Sequence, residues 1–352
     1  LGLPQEQTRY ESLARAALSE LTRIAPGSLQ EHLARGFAAY YLDVEYDRAR
    51  RDFEEAAAMA PGRLEIIEAL APVYRRLGRY EEAVTLMGRA LELDPLNAQE
   101  ALEAAITYMV MKRNQDAERL LDKAIQIDPR NDGPYCWKSL NRLLWTGSAD
   151  DARRAEVEAT GEPGTIPCWW ANLAERKFEG IITALNETST DDLGRSAYGL
   201  IFPRELGEYH FEAAVAMRFL GNRSGEVDAW NNLLAVTRED LWTDERETNR
   251  LRATETRAWL ALALAHAGLE EREQASRELG TLRNKTRHDV FAIDSRRIHV
   301  AFAYTLLEKY DEALQLLEED LSGTGLMTTH ALDLPLWDPL RDDPRFQELV
   351  EN

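Results

Sequence analysis

The residues of this sequence best suited to nucleophilic or metal chemistry are two cysteines, Cys136 and Cys168, and six histidines. A catalytic thiolate needs a histidine beside it, oriented in turn by an amide or carboxylate, and no such arrangement is readable near either cysteine. Buried thiols are the expectation for both. Two cysteines are also too few for a disulfide framework or a cysteine-rich metal site. His32, His210, His266, His288, His299 and His330 are scattered, with no pair at zinc-ligand spacing. Gly323-Thr324-Gly325 lacks the lysine or further glycine with which a phosphate loop holds its ligand. The sequence therefore predicts no catalytic residue, no metal and no cofactor, and the segment reads as non-enzymatic.

Charge narrows the partners. Asp and Glu number 62 against 42 Lys and Arg, which gives −20 at pH 7 and a pI near 4.8. Such a surface repels a phosphate backbone, so nucleic acid is not an expected partner of this segment, and basic or amphipathic ligands are favoured. No apolar run is long enough to span a membrane. The chain opens at Leu1 rather than at a methionine, which predicts a piece of a longer protein. Its expected location is the cytoplasm, or the periplasm if a membrane segment lies upstream.

What must position any site is a repeat. Ala49, Ala83 and Ala117 recur at a step of 34 residues, and so do Phe53, Met87 and Leu121, then Ala56, Ala90 and Ala124, then Pro61, Pro95 and Pro129. Upstream of each set lies a small residue, Gly36, Ala71 and Ala105, followed by Tyr40 (displaced by one residue), Tyr74 and Tyr108. Small residues let two helices approach, bulky ones fill the gap, and proline stops the second helix. This pattern resembles the tetratricopeptide repeat, a pair of antiparallel helices joined by a tight turn.

Looser units follow. Ser139 and Ala152, shifted by one residue, fit a fourth; in a fifth, Trp169 stands at the small position and Ile181 replaces the second-helix alanine. Residues 191–207 carry the Gly and Pro punctuation of a break or bend. Beyond it, Ala263, Ala275, Leu279 and Leu282 rebuild the pattern, as do Ala301, Tyr304, Tyr310, Ala313 and Leu317, with RNKTRHDVFAID read as a short polar insertion between them. The expected fold is all-α, a tetratricopeptide-repeat superhelix of seven to nine helix pairs closed by a C-terminal capping helix. Its expected parts are a first helix over 1–28, an array of about five units over 29–195, a second array over 196–330 and a cap over 331–352.

Several stretches together, ALALAHAGLEEREQA, a loop with Asp289 and Phe291, FAYTLLEKYDEALQLLEEDL and the terminal LDLPLWDPLRDDPRFQELV, resemble the C-terminal repeat region of multidomain bacterial signalling proteins. There a winged-helix, serine/threonine kinase or cyclase module is followed by a TolB-like segment and then by repeats. The resemblance implies a regulatory or scaffolding region that binds proteins or peptides. It equally implies an intramolecular role, holding an attached effector inactive or dimerising it until a ligand arrives.

In a superhelix of this kind the first helices line the concave face. The register places there Phe37, Tyr40 and Tyr41, then Arg75 and Arg76, then Ile106, Met109 and Val110, then Leu140, Leu143 and Leu144, then Trp170. These form either a ligand groove or a core covered by the chain's own C-terminal part. Trp137, Trp145, Trp169 and Trp170 read as filling for the irregular fourth and fifth units, with a recognition pocket as the alternative. LPLWDPLRDDPRFQELV reads as the terminal cover, with Asp342 and Asp343 ahead of Pro344 as a helix start and Trp337, Leu340 and Phe346 as anchors.

Overall fold

The repeat length is set by where helices stop. In the computed structural model, which describes residues 3–160, 168–187, 205–243 and 251–351, a long first helix α1 (Leu3–Ile24) precedes eight helix pairs. They are α2 (Leu29–Phe37) with α3 (Tyr46–Met59), α4 (Leu64–Arg76) with α5 (Tyr80–Leu93), α6 (Ala98–Val110) with α7 (Asn114–Ile127), and α8 (Gly133–Thr146) with α9 (Ala149–Thr160). Then come α10 (Trp170–Ala174) with α11 (Phe178–Glu187), α12 (Glu205–Phe219) with α13 (Arg223–Thr243), α14 (Leu251–Gly268) with α15 (Arg272–Thr286), and α16 (Val290–Leu306) with α17 (Tyr310–Ser322). Two short 3-10 turns, Thr329–Asp333 and Pro335–Leu340, lead into α18 (Pro344–Glu351). Among the described residues there is no strand, and no helix is long and apolar enough to cross a membrane. The expected bend at 191–207 and the boundary at 195 lie largely outside the described residues.

Each pair turns through one residue in the left-handed conformation. Val44, Gly78 and Lys112 hold it at the repeat step, with φ of 56°, 72° and 58°, and Gly147, Arg176, Gly221, Glu270 and Glu308 continue the series. Beyond this residue an N–H bonds back to the carbonyl five positions earlier, as in Arg79 to Tyr74, Arg113 to Tyr108 and Lys309 to Tyr304, each at 2.9 Å. That bond closes the first helix and aims the chain into the second. Second helices α3, α5 and α7 end two residues before Pro61, Pro95 and Pro129, which cannot extend them. Three first helices begin on side-chain caps: Ser28 accepts from the Glu31 N–H, Asn97 from Glu100 and Asp289 from Ala292.

Small and bulky positions meet inside each pair. A Cβ placed on Gly36 would lie 2.5 Å from the Phe53 ring, and Ala71 packs with Met87 in the next unit. Ala49, Ala71, Ala83, Ala105 and Ala117 are fully buried. Tyr40, Tyr74 and Tyr108 keep the 34-residue step, so the offset lies in Gly36, one residue early, and it has a local cause. Residues 38–43 form a π-helical turn, which holds one residue more than an α-helical end, so Tyr40 stands four residues before its turn residue Val44, as Tyr74 and Tyr108 do before theirs. The fourth unit absorbs its extra residue in a longer α8, ended at Gly147. In the fifth, α10 is cut to five residues and Trp169 caps it instead of lying inside a helix, so no small residue is needed there.

That shortening overturns the reading of the cysteines as free thiols. Cys168 lies off the helix, ahead of Trp169, next to Cys136 on the first turn of α8, and the two form a disulfide with Cα atoms 5.4 Å apart. The bond ties the fourth unit to the fifth. RNKTRHDVFAID, expected as an insertion, is instead the end of α15 and the start of α16.

The Gly36–Phe53 contact makes the register testable. Gly36→Ala should destabilise the fold by about 1–3 kcal/mol through overpacking, in spite of a helix-propensity gain of about 1 kcal/mol. Adding Phe53→Leu should recover most of that loss in urea unfolding. An unchanged midpoint for Gly36→Ala would sink this packing scheme.

Candidate functional site

The helix-pair turns on one edge of the array are where distant parts of the chain meet. Gly78 admits Val290, since a Cβ there would lie 2.9 Å from the valine, and Gly147 admits His330 at 2.7 Å in the same sense. Between them, Lys112 Nζ donates to the carbonyl oxygens of Asp320 at 2.5 Å and Leu321 at 2.8 Å. Beyond them, Arg176 makes two bonds to the Asp338 carboxylate, at 2.6 and 2.7 Å. Residues 289–338 thus run along the turns of the second to fifth units in the same order as the units. At the glycine turns a missing side chain lets the segment in; at the other two a cation holds it.

Backbone groups join the contact. The Gly325 N–H donates to the Val110 carbonyl at 2.8 Å, and Thr328 Oγ1 donates to the Leu144 carbonyl at 2.7 Å. Both acceptors lie in the last turn of a first helix, where carbonyls lack an intrahelical donor.

Two polar nodes anchor the upper part. Asp289, the cap of α16, accepts from Arg76 Nη1 at 2.7 Å and from the Tyr46 hydroxyl at 3.3 Å. Burial works against the Arg76 charge, but Asp289 with Tyr40 and Tyr46 outweighs it and holds the pKa above the ordinary arginine value. Arg75 lies 4.3 Å over the Phe291 ring and donates to Glu103 at 2.5 Å. In the second node, Asp294 accepts from the Tyr80 hydroxyl, from Thr324 Oγ1 and from Arg297, all at 2.6 Å. Asp320, fully buried, accepts the Met327 N–H at 2.9 Å. Burial pushes its carboxyl up to about 6, against the opposing pull of the Met327 N–H, Arg297 and Lys112.

Residues 74–143 match the tetratricopeptide repeat family model. That stretch, from the end of α4 into α8, carries tetratricopeptide repeats. No curated protein matches it. Among solved structures, it is similar to PilW, a widely conserved type IV pilus biogenesis factor, at 16% identity and a TM-score of 0.41, over 71% of this chain and 96% of that one. A tetratricopeptide repeat protein from Parabacteroides merdae aligns at 11% identity and a TM-score of 0.38, over 92% and 97% of the two chains. The Cut9–Hcn1 complex aligns at 14% and 0.39, over 96% of this chain and 58% of that one.

Within this tetratricopeptide array the expected concave residues divide into two groups. Arg75, Ile106, Met109, Val110, Leu140, Leu143, Leu144 and Trp170 are buried. Arg76 is half-buried on Asp289. Phe37 and Tyr40 are half-buried and Tyr41 is 38% exposed. These three form an aromatic group, with Tyr40 and Tyr41 edge to face at 4.8 Å and Phe37 stacked on Tyr41 at 6.2 Å. Of the tryptophans, Trp137, Trp169 and Trp170 are buried, while Trp145 is 44% exposed.

Sequence reading missed three acids at repeat core positions. Glu156 stands where Phe53 and Met87 stand in their units, Glu226 where Ala49 and Ala83 do, and Asp320 where Ala56 and Ala90 do; all three are buried. Glu156 accepts from Ser139 Oγ at 2.8 Å, yet burial pushes it up to about 7. Glu226 binds Arg218 and Arg223, each at 2.9 Å. His266, at the first-helix tyrosine position, sits between Glu271 at 2.5 Å and Glu278 at 3.3 Å. The sequence already marks His266 as a packed histidine at a tyrosine position, and it is buried; counting positions from each turn residue would have exposed the three acids in the same way.

Asp320 gives the closure a pH signature. Its folded pKa of about 6 lies above the ordinary 3.8, so the folded state binds more protons between those values and this group's contribution falls as pH rises through about 6. Asp320→Asn keeps an oxygen for the Met327 N–H and cannot ionise. Its melting temperature should therefore fall less, or rise more, than wild type between pH 4 and pH 6.5. Parallel profiles for the two proteins would contradict this account.

Proposed function

We propose that this chain is a non-catalytic scaffold or sensor that binds a protein or peptide, as the regulatory part of a larger bacterial signalling protein. The observation that carries the reading is the difference between the two ends of the inner face. From the second unit to the fifth the first-helix residues of that face are buried, apart from the half-buried Arg76, whereas Phe37, Tyr40 and Tyr41 of the first unit keep a partly exposed aromatic edge. Aromatic side chains give large contact area at low entropy cost and are favoured at interaction centres. The charge of −20 favours a basic, amphipathic ligand.

A library of basic amphipathic peptides, with affinities measured by calorimetry, tests this. A selected binder should lose about tenfold or more in affinity on Tyr41→Ala and should weaken as salt is added. Binders indifferent to both Tyr41→Ala and salt would remove the support for this site.

A second reading, regulation of an attached effector, is favoured by the closure at residues 289–338, which shows that the turn edge can hold a segment of chain. The disulfide bears on location. Such bonds persist where thiols are not held reduced, so Cys136–Cys168 favours the periplasmic alternative. Alkylation of protein taken from acid-quenched cells should find both cysteines blocked; two free thiols would favour the cytoplasm.

A further inference from the structure

Among the described residues, Arg296 is a buried cation with no acid bound to it. It lies on α16, which packs against α4 and α14, and only 5% of it is exposed. Its Nη1 donates to Thr256 Oγ1 at 2.8 Å, while Nε is buried without a partner. The nearby acid, Asp289, is taken up by Arg76, Tyr46 and the Ala292 N–H. Arginine cannot discharge itself by losing a proton at neutral pH, so the cost of burying it must be met by an anion.

Two more nitrogens point the same way. His299, one turn along the same face of α16, is 6% exposed and its Nδ1 is buried without a partner. Burial first and Arg296 second press its pKa down to about 3, so the ring is neutral and one nitrogen carries a proton to donate. On α14, Trp259 lies one turn beyond Thr256, and its buried Nε1, a donor only, also has no partner. As first helices of consecutive pairs, α14 and α16 run in the same direction, so Trp259 is level with His299 when Thr256 meets Arg296. Three groups with N–H donors, one of them charged, thus lie at matching levels of two packed helices, with Phe211 6.2 Å from the His299 ring.

We propose that Arg296, His299 and Trp259 form an interior site for a small oxyanion, either a carboxylate or inorganic phosphate, between α14 and α16. An oxyanion neutralises the guanidinium and accepts from all three donors at once. Such a ligand stabilises the folded array by mass action and locks α16, which carries Asp294 and is capped by Asp289, against α14.

Thermal unfolding of the full chain in sodium chloride, sodium acetate and sodium phosphate at matched ionic strength and pH 7 tests the site. The expected result is a rise in melting temperature that saturates with acetate or with phosphate and is lost in Arg296→Met. Saturation by acetate alone identifies a carboxylate, and by phosphate alone a phosphate. In chloride, Arg296→Met should melt at or above wild type, because it removes a buried charge with no neutralising acid. Trp259→Phe keeps the ring packing, removes one donor and should raise the apparent Kd several-fold; it decides the matter if Arg296→Met does not fold. The proposal is overturned by a shift that never saturates, by one saturated by chloride only, by one retained in Arg296→Met, or by an unchanged Kd in Trp259→Phe.

Discussion

Helix ends are what this structure is built around. Every first helix leaves carbonyls in its last turn without an intrahelical donor, and repeating the helix pair aligns those ends along one edge. An array of this kind therefore carries a row of acceptors wherever it is left open. Here the row is answered in sequence: Gly325 N–H on Val110, Thr328 Oγ1 on Leu144, and in the reverse direction Lys112 Nζ on the last carbonyls of α17. The turn residues decide how each contact is made. Glycine suits the left-handed conformation and leaves room, while Lys112 and Arg176 accept its strain and place a cation on the incoming segment.

The contacts differ in weight. Arg76 with Asp289 is removed from water on both sides and joined by Tyr46, so loss of one partner would leave an uncompensated buried charge. Arg176 with Asp338 is partly solvated, and such pairs contribute about 0–1 kcal/mol. Apolar burial does more at that end: Trp337 and Leu340 are fully covered and Phe346 nearly so. The cap holds by packing and the start of the segment by charge. Between them Asp320 joins the two, because its side chain orders the turn at Met327 while its carbonyl takes Lys112.

The parts of the fold legible in the sequence are those with a period. Ala49, Ala83 and Ala117, their bulky partners and their prolines mark the helix pairs because identical local packing demands identical residues. Even the extra residue between Gly36 and Tyr40 was visible as an offset, though not as the π-helical turn that absorbs it. The closure has no period. Arg76 and Asp289 are 213 residues apart, and neither residue differs in type from the many surface arginines and aspartates around it. Asp289 and Phe291 stood out through family resemblance, as a loop; their roles as helix cap and as a platform under Arg75 depend on the second array folding back onto the first. The cysteine pairing was hidden for a related reason. It follows from the shortening of α10, which Trp169 at a small-residue position hinted at without giving the consequence. Glu156, Glu226 and Asp320 were masked by the abundance of acids that do face water.

Closure also decides where a partner can enter. A ligand binds a covered face only if it replaces what covers it, and its affinity for the uncovered state is reduced by the rarity of that state. Displacing residues 289–338 would mean breaking the Asp289 and Asp294 nodes and uncovering Trp337 and its neighbours together, because they lie on one continuous segment. The aromatic edge of the first unit carries no such cost. Tyr40 nevertheless lies against Arg76, whose Nε is 3.5 Å from its hydroxyl, and Arg76 is the partner of Asp289. The open edge and the closure thus share one arginine, and any ligand that draws Tyr40 away from Arg76 acts on the first anchor of the segment. Coupling between an exposed recognition patch and a covered face needs no longer path than that.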